Sequence, residues 1–109
     1  MENRDVARLL GALSMETRLG IIGSLIDAGD AGLTQVEISE VTGLSAASLW
    51  QHLEYMTTVD LVTTKLDGYN KSFIINANLL QSLISIFSDR YLPGYFQGMA
   101  TDKLSLAMA

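Results

Sequence analysis

Cysteine is absent from the 109 residues, and histidine occurs once, at His52. The first absence excludes disulfides, thiolate metal sites and thiol redox sensing. The second leaves only carboxylates to complete a metal site around His52, a poor donor set for a transition metal. It also leaves any hydroxyl nucleophile without a second histidine as its base, so neither catalysis nor a cofactor is expected. Long apolar runs are missing too, since none approaches the roughly 18 residues of a membrane span. The opening Met1-Glu2-Asn3-Arg4-Asp5 is charged and lacks the apolar stretch of a secretory leader. A cytoplasmic protein without a membrane partner is the expectation.

Positive charge is scarce. Seven basic residues face twelve acidic ones, for a net charge of −5. They are Arg4, Arg8, Arg18, Lys65, Lys71, Arg90 and Lys103, with none between Arg18 and Lys65. That same stretch carries Asp27, Asp30, Glu37, Glu40, Glu54 and Asp60. Phosphate binding is driven mainly by Lys and Arg, so the gap constrains every functional reading. What is abundant is apolar side chain, 49% of the residues, which is enough for a single compact core at this length.

Helical spacing of Val6, Leu9, Leu10 and Leu13 predicts a first helix from about Asn3 to Leu13. Ser14 reads as the N-cap of a second helix, with Glu16 in its first turn and Leu19, Ile22, Leu25 and Ile26 on one face. Gly29 ends that helix as a left-handed cap, and Asp30-Ala31-Gly32 is a loop. Thr34-Gln35-Val36-Glu37 is a capping box that opens a short third helix ending at Gly43. Ser45 then caps a fourth helix, about Ala46 to Thr58. A short helix, a glycine-containing turn and another helix, here 34–58, is the helix-turn-helix signature. Two β-rich runs spanning 61–75 flank Asp67-Gly68 and predict a hairpin with a type I′ turn, a wing. A last helix starts near Asn78 and stops before Pro93-Gly94, with Leu79, Leu80, Leu83, Ile84 and Phe87 apolar. That stripe is wide for a helix packed on one side, and suggests a homodimer surface of Val6, Leu9, Leu10, Leu80, Leu83, Ile84, Phe87 and Tyr91. The other reading places the last helix inside the protomer's own core. The expected fold is mainly α with a β-hairpin wing: four helices, two strands, then a fifth helix. Residues 1–92 form one winged helix-turn-helix domain, and 93–109 a tail without clear period.

Short motifs carry a family resemblance. Ala12-Leu13-Ser14-Met15-Glu16-Thr17-Arg18-Leu19 and Gly43-Leu44-Ser45-Ala46-Ala47-Ser48-Leu49-Trp50-Gln51-His52-Leu53 resemble the second helix and the recognition segment of the arsenical-resistance-repressor (ArsR-like) family. Asp60-Leu61-Val62 falls where that family usually has Gly-Leu-Val. The resemblance covers about residues 6 to 92 and implies a dimeric repressor that releases DNA when a signal binds. The family's sensor sites do not carry over. The stretch Thr34 to Ile38 offers no thiol, the last helix has no histidine, and Arg90-Tyr91-Leu92-Pro93 has no sulfur. The inducer is left open.

At roughly 100° per residue, Leu49, Leu53 and Met56 define the buried face of the fourth helix, and Ala47, Gln51 and Glu54 point away. Gln51 suits bidentate pairing with adenine, Ser48 a base edge or phosphate, and the Ala47 methyl a thymine methyl. Ser45 offers its hydroxyl and nearby N–H groups to a phosphate, or serves only as a cap. Gln51 has the matching alternative of a solvated surface residue. Trp50 packs against the wing or first helix, lies on DNA, or marks a protein-binding surface. His52 sits beside the core stripe, where packing or donating a hydrogen bond to a neighbouring helix is the expected role. Arg18, Lys65 and Lys71 give about three phosphate contacts per subunit, each worth a slope of about −0.9 in log affinity against log salt. Thr63, Thr64, Tyr69 and Asn70 add neutral donors and acceptors on the wing.

The leading expectation is a sequence-specific DNA-binding transcriptional regulator, a homodimeric repressor on an inverted repeat of double-stranded DNA. The alternative, motivated by Trp50 and Glu54 in an acidic segment, is a winged helix used for protein association. A small-molecule effector site between first and last helices, lined by Phe87, Tyr91, Tyr95 and Met99, is an addition to the first reading and not a rival to it.

Overall fold

The computed structural model describes residues 1–92. The expectations for the tail 93–109, with Tyr95, Met99 and Lys103, lie outside the described residues.

Helix α1 (Asn3–Leu13) buries Val6, Leu9 and Ala12, and its first turn is closed by the Glu2 N–H donating to Asp5 Oδ2 at 3.0 Å. Ser14 does not cap the next helix. Its hydroxyl donates back to the Gly11 carbonyl at 2.7 Å, closing α1, and the extended Met15 becomes the N-cap of α2 (Glu16–Ala28) without a side-chain bond. A hydroxyl already used by the preceding turn cannot also serve the next one. Glu16 still places negative charge at the helix start, where the dipole favours it. Ile21, Ile22 and Leu25 form the buried face of α2. Gly29 ends it at φ 62° and ψ −144°, a glycine conformation outside the left-handed helical well expected for it, and a 3-10 turn follows through Ala31.

Leu33–Thr34 then forms a strand, β1, that periodicity did not predict. Gly32 precedes it at φ 68° and ψ −177°, where a Cβ would stand 2.6 Å from the Phe73 carbonyl oxygen. The capping box of α3 (Gln35–Thr42) is formed as expected: Thr34 N–H donates to Glu37 Oε1 at 2.9 Å, and Glu37 N–H to Thr34 Oγ1 at 3.2 Å. Gly43 ends α3 in the left-handed helical region, at φ 74° and ψ 7°. Ser45 caps α4 (Ala46–Thr58) by accepting from Ser48 N–H at 3.2 Å.

After α4 the chain turns at Asp60, the one non-glycine residue at positive φ (65°) among the described residues. This is the position of the family's glycine. An aspartate tolerates that conformation better than most side chains. Asn76 braces the turn, donating through Nδ2 to the Asp60 carbonyl at 2.9 Å and through its backbone N–H to the Leu61 carbonyl at 2.8 Å.

Strands β2 (Val62–Asp67) and β3 (Asn70–Ile75) pair antiparallel, and β1 joins the other edge of β3, giving the order β1-β3-β2. Asp67 pairs with Asn70, so Gly68-Tyr69 is the turn and not Asp67-Gly68. Gly68 has φ 63° while Tyr69 is not at positive φ, the pattern of a type II′ turn and not the expected I′. The core fixes this register. Val62, Phe73 and Ile75 share the buried face, and a one-residue slip would expose all of them.

Helix α5 (Ala77–Tyr91) is capped by Asn76, whose side-chain oxygen accepts from Leu79 N–H at 3.2 Å. Its apolar stripe splits in two. Leu83 lies fully in the core with Leu79, Leu80 and Ile86 packed beside it, while Ile84, Phe87 and Tyr91 face outward. The end of α5 is tied to the start of α1: Arg90 donates to Asn3 Oδ1 at 3.0 Å and to the Met1 carbonyl at 2.6 Å, and Tyr91 OH donates to Asn3 Oδ1. One core runs through all five helices and the sheet, around Ile21, Leu25, Ile38, Leu49, Leu61 and Leu83. Over the described residues the fold is thus a winged helix-turn-helix of five helices and a three-stranded antiparallel sheet.

Candidate nucleic-acid interface

Helix α4 is held by its buried face, Leu49, Leu53 and Met56, so its opposite face is presented to solvent. Ala47, Gln51, Glu54 and Thr58 form that outer row, and all are exposed. Gln35, at the start of α3, ties that helix to the start of α4, its amide donating to the Ala46 carbonyl at 3.1 Å. No charged residue other than Glu54 stands on α4, so the row is neutral at its N-terminal end and acidic further on.

The two flanks of α4 differ. On the flank facing α2, Arg18 reaches across. Its Nε–H donates to His52 Nδ1 at 3.1 Å, and its guanidinium lies 4.3 Å from the centre of the Tyr55 ring. His52, expected to pack or to donate a hydrogen bond, therefore accepts one, and its ring proton belongs on Nε2. Partial burial, and then the neighbouring Arg18 charge, lower the His52 pKa from its ordinary 6.5. Ser48 lies on this same flank, half-buried.

On the other flank, α4 and the wing enclose an open groove of about 520 Å³, lined by Gln35, Trp50, Leu53, Glu54, Thr57, Thr58, Lys71 and Phe73. Trp50 is 55% exposed and lines this groove together with Lys71 and Phe73 of the wing. Lys71 sits with its ammonium 5.4 Å from the Phe73 ring centre and has no ion-pair partner among the described residues.

Lys65 and Lys71 were expected to act as one set of wing cations. Register separates them. Lys71 pairs with Leu66 and shares the face of Phe73, whereas Lys65 pairs with Ser72 and points to the opposite face. Tyr69, at the hairpin tip, is fully exposed, and Leu66 beside it is 72% exposed. Ser45 is exposed and occupied as the α4 cap.

The residues expected at a dimer surface divide similarly. Val6, Leu9 and Leu83 are buried in the protomer's own core, which removes them from any outer surface, and Leu80 is half-buried against that core. Leu10, Ile84, Phe87 and Tyr91 are exposed, the last two with ring centres 5.1 Å apart. Periodicity reports that a side chain is apolar on a face; it does not say whose core receives it. Sequence reasoning also missed Gln35, Tyr55 and the accepting role of His52. Gln35 is visible in the sequence only as an inner position of the capping box, Tyr55 carries no motif, and His52 lies 34 positions from Arg18.

Among the described residues no single helix is long and apolar enough to cross a membrane. Comparison with known proteins agrees with the fold. A family profile described as winged helix-turn-helix DNA-binding matches residues 16–57. The HTH-type transcriptional regulator YgaV of Escherichia coli K12 is 31% identical over 89 residues, spanning 82% of this chain and 88% of that protein. An ArsR-like transcriptional regulator from Rhodococcus sp. RHA1 superposes with a TM-score of 0.73 at 20% identity, covering 96% of this chain and 90% of the other. The homodimeric winged helix-turn-helix DNA-binding domain of Mb0332 from Mycobacterium bovis, a possible ArsR-family regulator, gives 0.62 at 20% identity, covering 92% and 97%.

Proposed function

Because this chain belongs to the HTH-type winged helix-turn-helix transcriptional regulators, a family of DNA-binding proteins and not of enzymes, we propose that it is a homodimeric repressor of the cytoplasm, of the ArsR-like kind. It binds an inverted repeat of double-stranded DNA, with α4 in the major groove and the β2–β3 hairpin beside the adjacent backbone. The observation that carries this is the layout around α4: an uncharged reading row of Ala47 and Gln51, with Arg18 on one flank and Lys71 on the other. Base readout falls to Gln51, Ser48 and Ala47, and phosphate contact to Arg18, Ser45, Lys65 and Lys71, with Trp50 and Tyr69 at the wing-side margin.

Dimerisation is through the outward parts of α1 and α5, namely Leu10, Ile84, Phe87 and Tyr91, with Leu80 at the margin. A homodimer is in keeping with the fold's occurrence in the Mycobacterium bovis domain, which is homodimeric; the choice of surface rests on the exposure of these side chains. The winged unit is residues 1–92, with 93–109 as an appendage. The inducer acts without a thiol, since the chain holds none; a small molecule or a protein fits equally.

Selection of bound duplexes from a random library, followed by titration at two salt concentrations, tests the reading. Gln51→Ala is expected to relax preference at one base position per half-site. Lys71→Ala is expected to weaken all duplexes alike and to lower the salt slope by about 2 per dimer, at about 0.9 per contact. Unchanged binding by both variants would refute the assignment. Recovery of no duplex at low salt would favour the second reading, protein association through the groove where Trp50 and Glu54 stand.

A further inference from the structure

We infer that His52 and Tyr55 are positioning residues for Arg18, holding its guanidinium on the flank of α4 so that its outer N–H groups meet a DNA phosphate; this rests on the DNA-binding reading above. Arg18 belongs to α2, outside the helix-turn-helix, and an arginine there has a long, rotamer-rich stem. The structure removes that freedom in two ways. Nε is used inward, on His52 Nδ1 at 3.1 Å, and the guanidinium lies over Tyr55, 4.3 Å from the ring centre.

Among the described residues, the bond to His52 is the only hydrogen bond the guanidinium makes, and it has no ion pair. The inward grip leaves the Nη1 and Nη2 donors free, and these form the fork that matches two oxygens of a phosphate. An internal role alone, tying α2 to α4, would be served as well by a neutral donor. A permanent charge with no carboxylate to meet it marks the group as one awaiting an anion.

The contact needs Nδ1 unprotonated. The charged group facing His52 is Arg18 from α2, while Tyr55 on α4 contributes its ring to Arg18; no carboxylate is hydrogen-bonded to either among the described residues. Protonating His52 turns an acceptor into a cation beside a cation, and releases the arginine. The coupling between the two side chains, and not the raw affinity, is therefore the quantity that falls on acidification.

A double-mutant cycle reads this directly, with fluorescence anisotropy on a duplex recovered by selection. At neutral pH His52→Ala is expected to weaken the otherwise unaltered protein about tenfold, and the Arg18→Ala variant hardly at all. His52→Asn, whose amide oxygen stands near the Nδ1 position, restores most of the loss. Tyr55→Phe keeps the stacking ring and binds as before, whereas Tyr55→Leu loses several-fold. His52 is the chain's only histidine, so its ring proton resonances titrate without ambiguity. Their midpoint rises in Arg18→Ala, with or without DNA. Equal losses for His52→Ala in both backgrounds, or no loss in either, overturn the inference while leaving the DNA reading intact. A protein that binds no duplex at any salt overturns both, even if the histidine midpoint still responds to Arg18.

Discussion

Two glycines at positive φ separate backbone strain from atomic collision. Gly43, at φ 74° and ψ 7°, has open space where a Cβ would stand, whereas at Gly32 that Cβ meets the Phe73 carbonyl oxygen at 2.6 Å and Ile74 Cγ1 at 2.9 Å. For Gly43→Ala the left-handed conformation costs about 1–2 kcal/mol, and the stiffer unfolded chain returns about 0.4–1 kcal/mol. The net loss is then about 1 kcal/mol. For Gly32→Ala the backbone lies in a region nearly closed to other residues, at about 1–3 kcal/mol. Relief of the collision requires β1 to move off β3, adding about 1–3 kcal/mol. The nearest receiving atom is a backbone carbonyl oxygen, which has no rotamer to give way. The expected loss is about 3 kcal/mol, or a fall in melting temperature of roughly 12–24 °C for a domain of this size. Urea unfolding followed by circular dichroism, at one fixed protein concentration, measures both variants against the parent. Losses equal within about 0.5 kcal/mol would refute the reasoning, because the collision would then contribute nothing.

Other outcomes follow from the same structure. Thr34→Ala removes the acceptor for Glu37 N–H and is expected to cost about 1 kcal/mol by urea unfolding. The Glu37 carboxyl is held below its ordinary 4.5 by accepting hydrogen bonds from the Thr34 backbone and side chain, so its contribution is full above that value and is lost as pH falls through the lowered one. Glu37→Gln therefore flattens the acid limb of a stability–pH curve and leaves its alkaline limb unchanged. Leu53→Ala, at a site 2% exposed, is expected to cost about 2–5 kcal/mol. Ile84→Glu, at a site 63% exposed, leaves the protomer's core intact; sedimentation should find monomers and circular dichroism an unaltered fold.

Features set by neighbours in the chain were the legible ones. The Thr34–Glu37 box, the Ser45 cap and Gly43 each act within a few residues, so their residue types announce them. Ser14 misled because two turns competed for one hydroxyl, and composition does not say which wins. The wing was visible as a hairpin, but its turn was not. Asp67-Gly68 and Gly68-Tyr69 both place the glycine within the bend, and only the packing of Phe73 and Ile75 decides the register. Strand β1 is two residues long, too short to show any period. The Arg18–His52 contact joins α2 to α4 across 34 positions, which is a property of the fold and leaves no local mark.

The clasp between the chain's two helical ends sets an order of events. Asn3 and Arg90 are 87 positions apart, and Met1 and Arg90 are 89 apart. Closing so long a loop is among the last steps a folding chain can complete. Until α5 has been synthesised and docked, Ile84 and Phe87 have no platform and α1 has no partner at its start. Leu83 of α5 belongs to the same core as the helix-turn-helix and the wing, so the face proposed for another copy is completed only together with that core. Pairing as proposed above would then join completed protomers and not half-built surfaces.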